Sequence, residues 1–506
     1  MSSSTQRGQA LILIAIAFVG LAAFVGLAVD AGILFTDIGH LRRATDAAAL
    51  AAANQFREGR TVQQMTDSAT EFISLNTLNP ATVQVRLCDI WNSPTAAWHD
   101  PTLCPAPGEF DRKFVRVEAN LPVSFAFLPI VGWNSLTISA NSVSEAASID
   151  LVLVIDTSSS MSFDLCGDGR DNDGDGAIDD CASNPAPNGR VGPLDDSDVA
   201  TCVNNRRMRV DPTHPSFPTA TDPADDCHPF EEVRAAAAGL INRTYFPYDR
   251  MSIVEFAQVG GVATHLASGT NFSTVASALD SLNVRPDPGS VEGCIPPDMR
   301  GCTSTNTAEG LTLAGGEFGL STREEAVWIV ILLSDGAANA ARTTTTPPLW
   351  ICPGGPIGTP TWVAPLCRDP WFNASGTGTY GQDPEDAARI AALFVGCPDG
   401  TAGPLPAGCP AAGQGAVIFT IGLGNLMTVN TSCDAIYGGS CDPDQGERLL
   451  RWIAGVGDDG RPANASDCDT TALGHDCGNY YFAPTGAGLM RVFEAVASRI
   501  FTRITH

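Results

Sequence analysis

Residues 151–161 read Leu151-Val152-Leu153-Val154-Ile155-Asp156-Thr157-Ser158-Ser159-Ser160-Met161. An apolar run this short, ending on Asp-x-Ser-x-Ser, reads as a buried strand that delivers Asp156, Ser158 and Ser160 to its carboxyl tip. In open α/β sheets that edge is where ligands bind. One carboxylate and two hydroxyls are hard oxygen donors, suited to Mg²⁺ or Mn²⁺ and poorly suited to Zn²⁺. Any strand ending in a serine-rich turn would look the same, so two further stretches decide the reading.

The first is Thr303-Ser304-Thr305-Asn306-Thr307-Ala308-Glu309-Gly310-Leu311, and the second is Val327-Trp328-Ile329-Val330-Ile331-Leu332-Leu333-Ser334-Asp335-Gly336. The second is another β-rich apolar run that ends on an Asp-Gly pair. In this order the three pieces resemble the von Willebrand factor A (vWA) family and its metal-ion-dependent adhesion site (MIDAS). The resemblance implies that Asp156, Ser158, Ser160, Thr305 and Asp335 gather around one Mg²⁺ or Mn²⁺. Ser304 stands where the family pattern has Gly, which leaves Thr303 as a substitute for Thr305. The resemblance further implies that a partner protein supplies a carboxylate to the metal, so that the site binds without catalysing.

Around these motifs, helical periodicity spans 231–245, 273–282, 307–318, 384–395, 446–456 and about 485–503, with strand-like runs at 251–256, 327–333, 416–422 and 479–483. Strands alternating with helices predict a doubly wound, mostly parallel, Rossmann-like α/β sheet over 149–506. One such domain needs roughly 200 residues. The surplus falls in Gly/Pro/Cys-rich insertions at about 162–228, 284–303, 343–381, 397–413 and 430–445, the first and third of which should rim the metal loops.

The N-terminus carries a second signal. Ala10 to Val29 is apolar throughout, about the 20 residues that span a bilayer and longer than the roughly 7–15 residue core of a cleaved signal peptide. The pattern continues as an Ala-rich helix in which Ile38, Leu41, Thr45, Ala48, Ala52 and Phe56 recur at spacings of three and four. That narrow stripe either receives another helix or is simply a stalk above the anchor.

Arg7-Gly8-Gln9-Ala10 through Gly26-Leu27-Ala28-Val29-Asp30, followed by Leu41-Arg42-Arg43-Ala44-Thr45-Asp46-Ala47-Ala48-Ala49-Leu50-Ala51, resembles the N-terminal segment of TadG-like proteins of the Tad/Flp pilus-assembly system. That family joins such a segment to a C-terminal vWA domain, and 115–146 resembles its short β-rich, pseudopilin-like piece. The implied layout is an anchor and Ala-rich helix over 1–60, a small TadG/TadE-like α+β region over 61–148 and the vWA domain over 149–506. Leu13 lies at the spacing from Gly8 where prepilins carry Glu, so the anchor should be retained.

The 16 cysteines fall into neighbouring pairs: Cys88 with Cys104, Cys166 with Cys181, Cys202 with Cys227, Cys294 with Cys302, Cys352 with Cys367, Cys397 with Cys409, Cys433 with Cys441 and Cys468 with Cys477. Each pair would close a loop inside an apolar-poor insertion, and a 15-residue closure contributes about 3 kcal/mol. No C-x-x-C occurs, which disfavours structural zinc, and disulfides point to an oxidising, extracytoplasmic compartment. Arg7 on one side of the anchor and Arg42 and Arg43 on the other do not orient it by charge. The cysteines do: they predict a single pass with the N-terminus in and the large domain out.

The net charge of −27 repels phosphate backbones, which disfavours nucleic acid as a partner. Part of the acidity is concentrated in Cys166-Gly167-Asp168-Gly169-Arg170-Asp171-Asn172-Asp173-Gly174-Asp175-Gly176-Ala177-Ile178-Asp179-Asp180-Cys181. Asp171, Asp173, Asp175 and Asp179 with Gly176 follow the start of a calcium loop. Ala182 stands where an EF-hand has its bidentate Glu, so a solvated acidic turn is the competing reading.

There is no H-E-x-x-H, G-x-x-x-x-G-K-[ST] or G-x-S-x-G, and His40, His99, His214, His228, His265, His475 and His506 are scattered. The expected function is therefore binding, by a membrane-anchored vWA protein acting in Tad/Flp-type pilus assembly or surface adhesion, with pilus or envelope components as partners. The alternatives are a pilus-independent surface adhesin or sensor with the same anchor and, less favoured, a metal-dependent hydrolase.

Overall fold

A computed structural model describes residues 6–57, 61–76, 78–80, 82–88, 96–106, 108–158, 161, 230–257, 259–282, 305–320, 322–323, 325–335, 338, 340–342, 349–351, 384–401, 403–424, 445–459, 468, 474–484 and 486–503. They form two compact units, Met1–Ser148 and Ile149–His506.

The first unit is built on α1 (Gln6–Arg57), one unbroken helix of 52 residues, about 78 Å long at 1.5 Å per residue. Its N-terminal half exposes its apolar side chains from Leu13 onward, whereas Leu41, Ala44, Thr45, Ala48, Ala52 and Phe56 in the C-terminal half are buried. The small side chains of that stripe let α2 (Val62–Leu75) pack closely through Met65, Ala69 and Ile73, and they also face an antiparallel sheet. The sheet comprises β1 (Thr82–Leu87), β2 (Lys113–Ser124) and β3 (Ser135–Ala146), in that order. The stripe is thus an internal packing surface rather than a bare stalk. Helix α2 is the helical part of the expected α+β region, and Thr61 and Gln64 form a capping box at its start, a signal the sequence carries.

The second unit is the expected doubly wound sheet, in the order β11-β10-β7-β4-β5-β6. Its strands are β4 (Ser148–Asp156), β5 (Arg250–Phe256), β6 (Gly260–Thr264), β7 (Ala326–Ser334), β10 (Val417–Leu423) and β11 (Tyr480–Ala483). β4 runs parallel to β5, and β10 runs parallel to β7 and β11. Every residue of β4 is buried, which is why the strand reads as a continuous apolar run rather than an alternation. Leu151, Leu153 and Ile155 face one core with α3 (Phe230–Ile241), α4 (Phe272–Ser281) and α8 (Gly486–Arg503). Val152 and Val154 face the other core with α5 (Thr307–Leu320), α6 (Pro384–Gly396) and α7 (Gln445–Asp459).

Three differences from the sequence reading stand out. Helix α3 stops at Ile241 instead of reaching Tyr245. β6 pairs antiparallel on the sheet edge; its five residues include Gly260 and Gly261, so composition hid it. A two-stranded ribbon of β8 (Ala340–Arg342) and β9 (Leu349–Ile351) follows β7.

Cys88–Cys104, Cys397–Cys409 and Cys468–Cys477 are disulfide-bonded as expected. The other cysteines lie outside the described residues. Helix α7 contacts the residues beside the last disulfide: Glu447 accepts the Gly474 N–H at 3.0 Å and pairs with Arg451 at 2.6 Å, and Arg451 donates to the Cys468 carbonyl at 3.0 Å.

At the amino end of the sheet, the buried Asp150 carboxylate is shared by Arg250 at 2.5 and 2.8 Å and Arg323 at 2.6 Å. Arg323 also donates to the Tyr248 carbonyl at 2.8 Å. All three side chains are 1% exposed. The network ties β4, β5 and the segment before β7 together at the end of the sheet opposite Asp156.

Candidate metal centre

Asp156 is the last residue of β4 and is fully buried. The Ser158 N–H donates to its Oδ1 at 2.9 Å and the Ser334 hydroxyl to its Oδ2 at 2.7 Å. Ser334 ends the neighbouring β7 and Asp335 follows it, also fully buried. Burial and then the charge of Asp335 push the Asp156 carboxyl up to about 7. Two buried carboxylates at the ends of adjacent strands match the demand of a divalent cation for anionic oxygen donors.

The Thr305 loop is brought to the same edge through β5. The Phe256 carbonyl accepts from the Thr157 N–H at 2.7 Å, and the next carbonyl, Ala257, accepts from the Asn306 N–H at 2.8 Å. Two adjacent carbonyls at the end of one strand therefore hold both loops. Asn306 also caps α5, its side chain accepting from the Glu309 N–H at 3.1 Å, as expected of an Asn one residue ahead of a helix. Ser158 and Thr305 are both buried.

Helix α5 lies unusually close to the sheet. A Cβ on Gly310 would sit 2.8 Å from Phe256 and 2.9 Å from Val154. Gly310 thus sets the height of the helix whose N-terminus carries Thr305 and Asn306. In the sequence Asn306 and Gly310 are only parts of a pattern; in the structure they act as a clamp and a spacer. Gly310→Val should cost stability at the scale of core overpacking, about 1–3 kcal/mol, and shift the Thr305 loop. The check is chemical denaturation together with metal titration; unchanged stability and affinity would remove the spacer role.

Asp156, Ser158, Thr305 and Asp335 are therefore placed at one edge of the sheet. Ser160, the substitute Thr303, and the calcium-loop residues Asp171, Asp173, Asp175 and Asp179 lie outside the described residues. Among the described residues no three or more His, Cys, Asp or Glu side chains are grouped to hold a metal; the candidate centre rests on two carboxylates and hydroxyls.

In the first unit, residues 8–55 match the Tad family, "Putative Flp pilus-assembly TadE/G-like". That match covers the N-terminal helix alone. Among curated proteins none matches the chain. Solved structures with similarity include the pilus adhesin SpaC from Lactobacillus rhamnosus GG, at 13% identity and a TM-score of 0.34, covering 83% of this chain and 35% of that one. Another is the vWF domain of the type V pili tip protein Mfa5 from Porphyromonas gingivalis, at 15% and 0.30, covering 71% and 96%. A third is proximal thread matrix protein 1 from the mussel byssus with a zinc-occupied MIDAS motif, at 11% and 0.30, covering 69% and 47%. The chain thus spans between about a third and a half of the first such structures, 35% and 47% of their lengths.

Proposed function

We propose that this TadE/G-like chain is a membrane-anchored, extracytoplasmic vWA protein that captures a protein partner through a metal-ion-dependent adhesion site during Tad/Flp-type pilus assembly or surface adhesion. The observation that carries the reading is the pair of buried carboxylates, Asp156 and Asp335, at the carboxyl edge of the sheet beside Ser158 and Thr305. Asp156, Ser158, Ser160, Thr305 and Asp335 would hold Mg²⁺ or Mn²⁺, with Ser158, Ser160 and Thr305 as hydroxyl donors. A bound cation would offer an open coordination position to a carboxylate of the partner. The chain's own part is to orient these donors and exclude bulk water, so the activity is binding and not catalysis.

The Tad family match over residues 8–55 supports the pilus setting, with pilus or envelope components as partners. A strain expressing only the Asp156→Ala protein should make fewer surface filaments than the wild type when imaged. Normal filaments beside a loss of surface attachment would favour a pilus-independent adhesin.

The anchor is proposed as Ala10–Val29 within an anchor and Ala-rich helix over 1–60, followed by the β-rich region over 61–148 and the vWA domain over 149–506. One helix of the described residues is long and apolar enough to cross a membrane. With the disulfides outside, a reporter that works only in the cytoplasm, fused after Arg503, should stay dark; a bright fusion contradicts this topology. The 166–181 loop is proposed to bind Ca²⁺. Calorimetry with Asp171→Ala and Asp173→Ala should lose one calcium site, and unchanged binding in both removes the loop.

A further inference from the structure

The turn joining β2 to β3, residues 125–134, lies against α1 at the end of its apolar run. The side chain of Asp30 accepts the backbone N–H groups of Ala126 at 2.7 Å, Phe127 at 3.0 Å and Leu128 at 2.7 Å. Asp30 is fully buried by these contacts. One helical turn earlier, Gly26 is also buried, and a Cβ there would sit 2.9 Å from Phe127. The turn therefore reaches past Asp30 and alongside the segment that would span the membrane.

Its remaining side chains are wrong for water. Ile130 is 84% exposed and Trp133 65% exposed, and Phe127 and Leu136 are also exposed. Between the turn and the helix runs a groove of about 580 Å³, lined by Leu27, Leu34, Phe125, Leu128 and Trp133 among others. Leu27 of the apolar run both lines this groove and is exposed, and Phe24 and Val25 beside it on α1 are exposed too. An exposed apolar patch of this kind marks an interaction surface, and its continuity with the candidate span says what covers it.

We infer that the β2–β3 turn is a second, monotopic membrane contact. It inserts Phe127, Ile130 and Trp133 into the interfacial layer beside α1 and fixes the depth at which the helix leaves the bilayer. Two features suit this role. Backbone N–H groups entering an apolar layer must be satisfied within the protein, and Asp30 satisfies three at the turn. A carboxylate at that depth is tolerated only when paired or hydrogen-bonded, and these same bonds serve it. Trp at the level where a span meets water matches the aromatic belt of membrane proteins, and amphipathic elements of this type sit roughly 5–10 Å into the interface. The inference rests on the proposed anchoring of α1.

The test is photo-crosslinking of the full chain in vesicles of phosphatidylcholine and phosphatidylglycerol. Benzoylphenylalanine replaces, one at a time, Phe18 in the span, Ile130 and Trp133 in the turn, and Leu50. Leu50 is 58% exposed on α1 and lies about 30 Å beyond Asp30 at 1.5 Å per residue. Lipid adducts at positions 18, 130 and 133 and none at 50 are expected. Adducts at 18 but none at 130 and 133 overturn the turn's membrane contact and leave the anchor standing. Protein adducts at 130 and 133 in place of lipid overturn it in favour of a protein partner. No lipid at any position removes the anchor and the inference with it.

Discussion

Replacing Asp150 by Ala should cost about 3–5 kcal/mol of stability, the range measured when one member of a buried ion pair is removed. Two guanidiniums, Arg250 and Arg323, share this one carboxylate, and all three groups are 1% exposed. Removing the anion leaves two buried cations facing each other without the carboxylate that offsets their charge. The change lies at the amino end of β4, away from Asp156, so it should act on folding and not on the metal site. Chemical denaturation of the purified chain reads it directly. A loss below about 1 kcal/mol, the scale of an exposed pair, would show that the network is dispensable. Asp150→Asn should be milder, since an amide still offers an oxygen to one arginine.

The second large effect is at Asp156, and its sign changes with metal. Its folded carboxyl is raised from 3.8 to about 7 by burial and then by Asp335. Between those two values the folded state holds a proton that the unfolded state has released. The metal-free protein therefore loses stability as pH rises through this window and holds steady above it. Metal needs the deprotonated carboxylate, so affinity for Mg²⁺ should climb through the same window and level off above about 7. Asp156→Asn removes the repelling charge. It should raise the melting temperature of the metal-free protein at pH 8, flatten its pH dependence and abolish stabilisation by Mg²⁺. For the wild type that stabilisation is about 2.7 kcal/mol at a hundredfold excess of metal over Kd. A mutant still stabilised by Mg²⁺ to the same degree would exclude Asp156 as a ligand.

What sequence could and could not show follows from distance along the chain. β4 and β7 were legible because strands buried on both faces read as unbroken apolar runs, and Asp156 and Asp335 were legible because each ends such a run. The Asp150 network was not: its partners lie 100 and 173 residues away, and an Asp preceding an apolar strand looks like ordinary polar punctuation. Asp30 looked like the end of an anchor, because its three N–H partners are 96–98 residues downstream. Gly310 illustrates the intermediate case. Its place in a pattern was visible, whereas the close approach to Val154 and Phe256 that requires it exists only once helix α5 is laid on the sheet.

The central claim is a metal site built on Asp156 and Asp335, and direct titration of Mn²⁺ into the full chain above pH 7, followed by calorimetry, tests it most closely. The wild type should bind one ion that Asp156→Asn loses and that the double variant Asp171→Ala, Asp173→Ala retains. No Mn²⁺ or Mg²⁺ binding by the wild type at millimolar metal would contradict the account and leave the fold without its adhesion site.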